Sequence, residues 1–122
     1  MIIDFRIDDC TNLNNKKYIE EWLRKLIKDV KMEIHKIDNK DAFLIDNWAA
    51  PSMPQTYGTS AVVLISTSNI SLHTAWDEHQ TGKGMIYLDL NSCSHFTYDQ
   101  VYDNIKEFWN YPEIVRWQLH DR

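Results

Sequence analysis

The chain opens with Ile3, Phe5 and Ile7 alternating with Asp4 and Arg6. Side chains two residues apart share one side of an extended strand, so this pattern predicts a strand with one apolar face. Asp8-Asp9-Cys10-Thr11-Asn12 interrupts it with residues that favour caps and turns. From about Asn15 the apolar positions shift to Ile19, Trp22, Leu23, Leu26, Ile27 and Val30, the spacing of a helix with one apolar stripe. Ile34 and Ile37 suggest a second strand, ended by Asp38-Asn39-Lys40. Ala42 to Thr59 contains Pro51 and Pro54 and reads as a strand fragment followed by an irregular loop. Ala61 to Ile65 is an unbroken aliphatic run, which suits a buried strand. Ile70 and Leu72 then alternate with Asn69, Ser71 and His73. After a polar loop, Ile86, Leu88 and Leu90 alternate with Tyr87, Asp89, Asn91 and Cys93. Thr97-Tyr98-Asp99-Gln100 has the form of a capping box, followed by Val101, Ile105 and Phe108 on one side of a helix to about Asn110. Pro112 prevents a simple continuation, and Ile114 to Leu119 reads as a last strand.

This order, with short connections and no glycine-rich crossover, predicts an α+β fold. The expected form is a two-layer sandwich, a mostly antiparallel sheet with two helices on one face. At 122 residues the chain is expected to form one domain, 1–122. A hydrophobic fraction of 43% with five Trp, six Tyr and four Phe excludes a disordered chain. The net charge of −5 and the lack of a basic stripe argue against a nucleic-acid partner. No apolar run is long enough for a membrane span, and no charged-then-apolar leader is expected. Cys10 and Cys93 form neither a disulfide framework nor a CxxC motif, which fits a reducing, cytoplasmic setting. With three glycines there is no phosphate-binding loop.

If the strands between Ser60 and Cys93 are neighbours, one sheet face packs a core and the other collects a hydroxyl, an imidazole, a carboxylate and a thiol. Taken singly, Ser68 is a strand-end serine, His73 a structural histidine, Cys93 a small buried hydrophobe and Asp89 a sheet carboxylate. His73, Asp77, Glu78, His79 and His95 lie close in sequence but lack the spacing of a zinc site, so no metal is expected. Trp22 and Phe108 sit in helical stripes as core residues. Trp76, at a strand end beside Asp77-Glu78, is a candidate to face a ligand.

Taken together, the residues resemble a family. Ser66-Thr67-Ser68-Asn69-Ile70-Ser71-Leu72-His73-Thr74-Ala75-Trp76 resembles the central motif of bacterial S-adenosylmethionine decarboxylases, Ser-Glu-Ser-His-Ile-Ser-Ile-His-Thr-Trp-Pro-Glu. Pro54-Gln55 and Ser60-Ala61-Val62-Val63-Leu64-Ile65-Ser66 are similar to that family's Pro-Gln-Gly-Val-Ser-Gly-Val-Val-Val-Ile-Ser, and Leu88 to Cys93 to its Val-Asp-Val-Phe-Thr-Cys. The resemblance implies a self-processing enzyme. The Ser68 hydroxyl attacks the Thr67 carbonyl, the amide becomes an ester, and elimination cuts the chain, leaving a pyruvoyl group derived from Ser68. That ketone takes the amine of a small-molecule substrate and withdraws electrons as the carboxylate leaves. By the same resemblance His73 is the processing histidine, Ser60 the second processing serine, and Cys93 the proton donor after carbon dioxide departs. Homodimers with αββα layering are also implied.

The chain departs from the pattern at the substrate side. Thr67 replaces a glutamate expected to hold substrate, and Asn69 replaces a histidine. Ala75-Trp76-Asp77 replaces Trp-Pro, with a longer loop through Gly82 and Gly84, and Ser94 stands where a glycine follows the cysteine. Ser52 occupies the place of the aromatic that stacks on adenine, for which Trp48 or Tyr57 could substitute. Thr67, Asn69, Trp76, Tyr57 and Trp48 are therefore the candidate substrate-binding residues. The leading reading is pyruvoyl-dependent decarboxylation of S-adenosylmethionine for polyamine synthesis. Three others stay open: a pyruvoyl-dependent ornithine or arginine decarboxylase, an uncleaved lyase acting on S-adenosylmethionine or a nucleotide conjugate of it, and an inactive regulatory binding subunit.

Overall fold

The structure is a computed structural model that describes residues 1–50, 56–77, 79 and 81–120, with the side chains of 115–117, 119 and 120 left aside. In chain order it comprises β1 (Ile2–Cys10), α1 (Lys16–Asp29), β2 (Lys36–Ile37), β3 (Lys40–Asp41), β4 (Phe43–Ala50), β5 (Thr56–Ile65), β6 (Ser68–Asp77), β7 (Gly84–Ser92), α2 (Tyr98–Phe108) and β8 (Glu113–His120). Six strands form one sheet in the order β4-β5-β6-β7-β1-β8, and each neighbouring pair is antiparallel. The expected α+β sandwich is the one observed.

Local chemistry sets the helix ends. Asn15 caps α1 by accepting the Tyr18 N–H at 3.1 Å, which satisfies one of the donors a helix start leaves free. Lys31, at φ 60°, then lets the Met32 N–H return to the Ile27 carbonyl at 3.0 Å and stops the helix. The capping box of α2 is present as read, with Thr97 and Gln100 each bonding the other's backbone N–H. Trp22, Leu23, Leu26 and Ile27 of α1 pack with Val101 and Ile105 of α2 over Ile3, Phe5, Ile7, Val63, Ile70, Leu72, Ile86, Leu88 and Leu90 of the sheet. Trp22 donates its indole N–H to Asn104 at 2.8 Å, and Asn104 donates to Asp29 at 2.9 Å, so the two helices are tied by a buried polar link. Phe5 and Tyr98 stack at 5.7 Å. The helices cover one sheet face and leave the other open.

Two expectations change. Ile34 and Ile37 do not share a strand of the main sheet. Ile34 makes an isolated bridge to Ile65, and Ile37 belongs to a two-strand hairpin closed by Asp38 (φ 52°) and Asn39 (φ 65°). Two consecutive left-handed residues make the tight turn that matches strand twist, and Asp and Asn tolerate it best after glycine. The fragment after Ala42 is a full edge strand, β4, paired with β5 from Phe43↔Val63 to Ala50↔Thr56. The loop holding Pro51, Ser52 and Pro54-Gln55 lies outside the described residues, as do Glu78 and Gln80 of the later loop.

Candidate active site

Strand parity decides which side chains meet. On the open face β5 presents Ser60, β6 presents Asn69, Ser71 and His73, β7 presents Tyr87 and Asp89, and β1 presents Asp4 and Arg6. The register aligns them into rows: Ser60↔His73↔Tyr87↔Arg6, and beside it Ser71↔Asp89↔Asp4. A concavity of about 430 Å³ opens over these rows.

Ser60 Oγ lies 2.8 Å from His73 Nδ1. The Trp48 ring stacks on the imidazole with centroids 4.9 Å apart and planes 8° apart. That placement depends on Gly58, opposite Trp48 in the register: a Cβ there would collide with the Trp48 ring and the Thr74 carbonyl. Arg6 lies over the Tyr87 ring at 5.9 Å. In the second row Asp4 stands directly opposite Asp89. Partial burial, then a hydrogen bond and like charge from Asp4, push the Asp89 carboxyl up to about 6.

Ser68 lies elsewhere. It begins β6 immediately after the Ser66-Thr67 turn, paired with Ile65 on one side and Ser92 on the other. Its hydroxyl donates to Asn69 Oδ1 at 3.3 Å, and Asn69 donates to Ser71 Oγ at 3.3 Å. Thr67 turns inward, with Oγ1 2.7 Å from Ser92 Oγ and 3.8 Å from Met32 Sδ. The Thr67 carbonyl accepts the Cys93 N–H at 3.2 Å. Cys93, read singly as a buried hydrophobe, is exposed; β7 ends at Ser92, so the alternation that would have placed its thiol stops one residue short.

The residues singled out in the sequence thus separate into groups. Ser60, His73 and Trp48 meet in one place. Ser68, Thr67, Asn69 and Cys93 meet at the hairpin end. Ser68 and His73 lie five positions apart along β6, roughly 16 Å at strand rise, and the two positions have opposite parity. Trp76 and Tyr57 join neither group: Trp76 is 9% exposed, shares the parity of Ile70 and Leu72, and stacks on Tyr57 at 6.5 Å. The continued alternation Ile70, Leu72, Thr74, Trp76 carried that signal. Asp4, Tyr87, Ser71 and Ser92 were not singled out for the site. Pairing β1 beside β7, which local patterns do not specify, brings Asp4 there.

The fold and these groups define a two-layer α+β protein with hydroxyl, imidazole and thiol side chains on and beside an uncovered sheet face. The chain belongs to the S-adenosylmethionine decarboxylase family, whose pattern it matches along residues 1–122. Its fold is similar to that of the adenosylmethionine decarboxylase from Aquifex aeolicus VF5, with a TM-score of 0.62 at 20% identity, covering 99% of this chain and 88% of that one. A comparison with curated proteins finds no match.

Proposed function

We propose that this protein cuts itself between Thr67 and Ser68 and then decarboxylates S-adenosylmethionine, supplying an aminopropyl donor for polyamine synthesis. Family membership over the full length supports the reaction. The observation that carries the cut is the Thr67–Ser68 peptide at a two-residue turn, its carbonyl already held by the Cys93 N–H. A hydroxyl one atom beyond the Ser68 Cβ forms a five-membered ring when it attacks that carbonyl, and the amide donor opposes the charge that develops on the oxygen. The residues around position 68 fit a pyruvoyl group, because the site is a turn end with a hydroxyl, an amide and a thiol-bearing residue close by. When formed, that group supplies a carbonyl for the substrate amine and an electron sink for the departing carboxylate. Cys93, exposed beyond β7, holds a proton for delivery to product.

Within one chain the Ser60–His73 pair does not reach Ser68. On this reading a second copy lies on the open face, and its pair serves the first copy's turn. Leu44 (71% exposed), Val62 (43%) and Leu64 (38%) line that face with apolar surface for such a contact. The substrate is a small molecule, and the two free cysteines fit a cytoplasmic setting.

Intact mass spectrometry tests the cut: two fragments divided at Thr67–Ser68 are expected in place of the 14.5 kDa chain, and Ser68→Ala should leave one species. Co-expressing Ser68→Ala with His73→Ala tests the pairing, since the first variant can lend its imidazole to the second's serine. Cleavage of the His73→Ala chain only in the mixture is expected; cleavage in neither sinks the two-copy arrangement. Carbon dioxide released from carboxyl-labelled S-adenosylmethionine tests the substrate. The uncleaved-lyase reading is favoured by one observation, the Ser68 hydroxyl bonded to Asn69 rather than to a base. A persistent full-length chain that forms a methylthioadenosine-type product would establish it.

A further inference from the structure

Ser92 ends β7 on the covered face, in line with Ile86, Leu88 and Leu90, and is 2% exposed. A hydroxyl buried in that row costs free energy unless it is hydrogen-bonded. Ser92 is bonded twice: its Oγ accepts the Ser94 N–H at 3.0 Å and lies 2.7 Å from Thr67 Oγ1. Thr67 Oγ1 also lies 3.8 Å from Met32 Sδ, and either hydroxyl can donate in the short bond between Thr67 and Ser92. The next residue, Cys93, gives its N–H to the Thr67 carbonyl at 3.2 Å. Two consecutive residues therefore grip Thr67, one by its side chain and one by the carbonyl of its bond to Ser68.

We propose that Ser92 is a positioning residue for self-cleavage, fixing Thr67 so that the Cys93 N–H meets the carbonyl oxygen as charge builds there. The inference rests on the self-cleavage reading above. In the step concerned, the Ser68 Oγ–Thr67 carbon bond forms and the carbonyl π pair moves onto oxygen, which accepts a hydrogen bond from the Cys93 N–H. The hydroxyl proton passes to the amide nitrogen, the C–N bond breaks, and an ester with a free Ser68 amine results. Loss of the Ser68 Hα and of the Thr67 carboxylate then cuts the chain, and water releases ammonia to leave the ketone. Ser92 touches none of the reacting atoms. It acts through Thr67, and the inward turn of Thr67 shows why a chain lacking the family's glutamate at this position has a use for a small hydroxyl side chain.

The test follows conversion of the full-length chain after a labelled pulse of cell-free synthesis. Ser92→Ala and Thr67→Val are each expected to slow cleavage by about 10-fold to 100-fold, the loss typical of a small misplacement at a reacting centre. The double variant should be no slower than either single one, and Ser92→Thr, which keeps the hydroxyl, should recover most of the rate. In the uncut Ser68→Ala background, Ser92→Ala should speed hydrogen exchange at the Cys93 amide while the chain stays folded, and this readout needs no activity. Cleavage of Ser92→Ala at the parent rate, or slowing that multiplies in the double variant, overturns the role of Ser92 and leaves self-cleavage standing. A parent chain that never cuts removes both.

Discussion

The two faces of the sheet are built from the same strands and obey different rules. On the covered face nearly every position is apolar and buried, and the buried polar groups Thr59, Thr74 and Ser92, with Asn104 of α2 packed over them, are hydrogen-bonded. On the open face Asp4 stands opposite Asp89, a tryptophan lies flat on a histidine, and Leu44 is largely exposed. Like charges directly across a sheet weaken a fold. Antiparallel strands can tolerate this because one face packs the core and the other is left to solvent. The comparison makes the apolar side chains that hold the fold separable by residue parity from the polar rows of the open face.

Trp22→Ala should break the covered face hardest. Trp22 is fully buried, meets Trp109 edge-on at 5.3 Å and bonds Asn104. Removing it leaves a cavity and an amide short of one partner, at about 3–5 kcal/mol. Urea unfolding reads this directly. A loss below about 1 kcal/mol would mean that stability does not come chiefly from this face.

A smaller effect is expected from Gly58→Ala, on the open side. The added methyl meets the Thr74 carbonyl and the Trp48 ring, so the ring must lift from His73. Overpacking of this kind costs about 1–3 kcal/mol. The specific sign is a downfield move of the His73 ring protons in NMR spectra, because the stacked indole no longer shields them. Destabilisation without that move would separate Gly58 from the Trp48–His73 stack.

How much of this could be read beforehand follows from range. Alternation in Ile86, Leu88 and Leu90, the helical stripe through Trp22 and the Thr97–Gln100 box are local signals, and the structure keeps them. The β4 edge was read too short because Asp46 and Asn47 interrupt its apolar pattern, and an edge strand has only one partner to satisfy. Trp76 was a candidate to face a ligand because it ends a strand; it is 9% exposed, shares the parity of Leu72 and lines a concavity with Asp8, Asp9 and Lys83. Ser60, Ser68, His73 and Cys93 were grouped through a family pattern. That pattern records which residues a reaction needs but not their distances within one chain, and only the register showed Ser60 and His73 apart from Ser68. Asp4 opposite Asp89 depends on a pairing between strands far apart in the sequence.

That carboxyl pair gives the mildest prediction, and its sign tests whether the open face opposes folding. In the folded chain Asp89 is pushed up to about 6, from an ordinary value of 3.8. Between these values the folded state holds more protons than the unfolded one, so stability falls as pH rises from about 4 to about 6. Above that range the carboxylate is charged in both states and the cost is fully present. Asp89→Asn removes the titrating group, so it should flatten this part of the pH profile and stabilise the chain at pH 7. Because Asp89 is exposed, solvent screening holds the gain under about 1 kcal/mol. Urea midpoints of the two chains at pH 4 and pH 7 decide the matter: the variant should gain on the parent only at the higher pH. An equal change at both would trace to packing of the amide rather than to charge. A loss confined to pH 7 would mean that the Asp89 carboxylate stabilises the fold, and the division between a stabilising face and an opposing one would fail at this row.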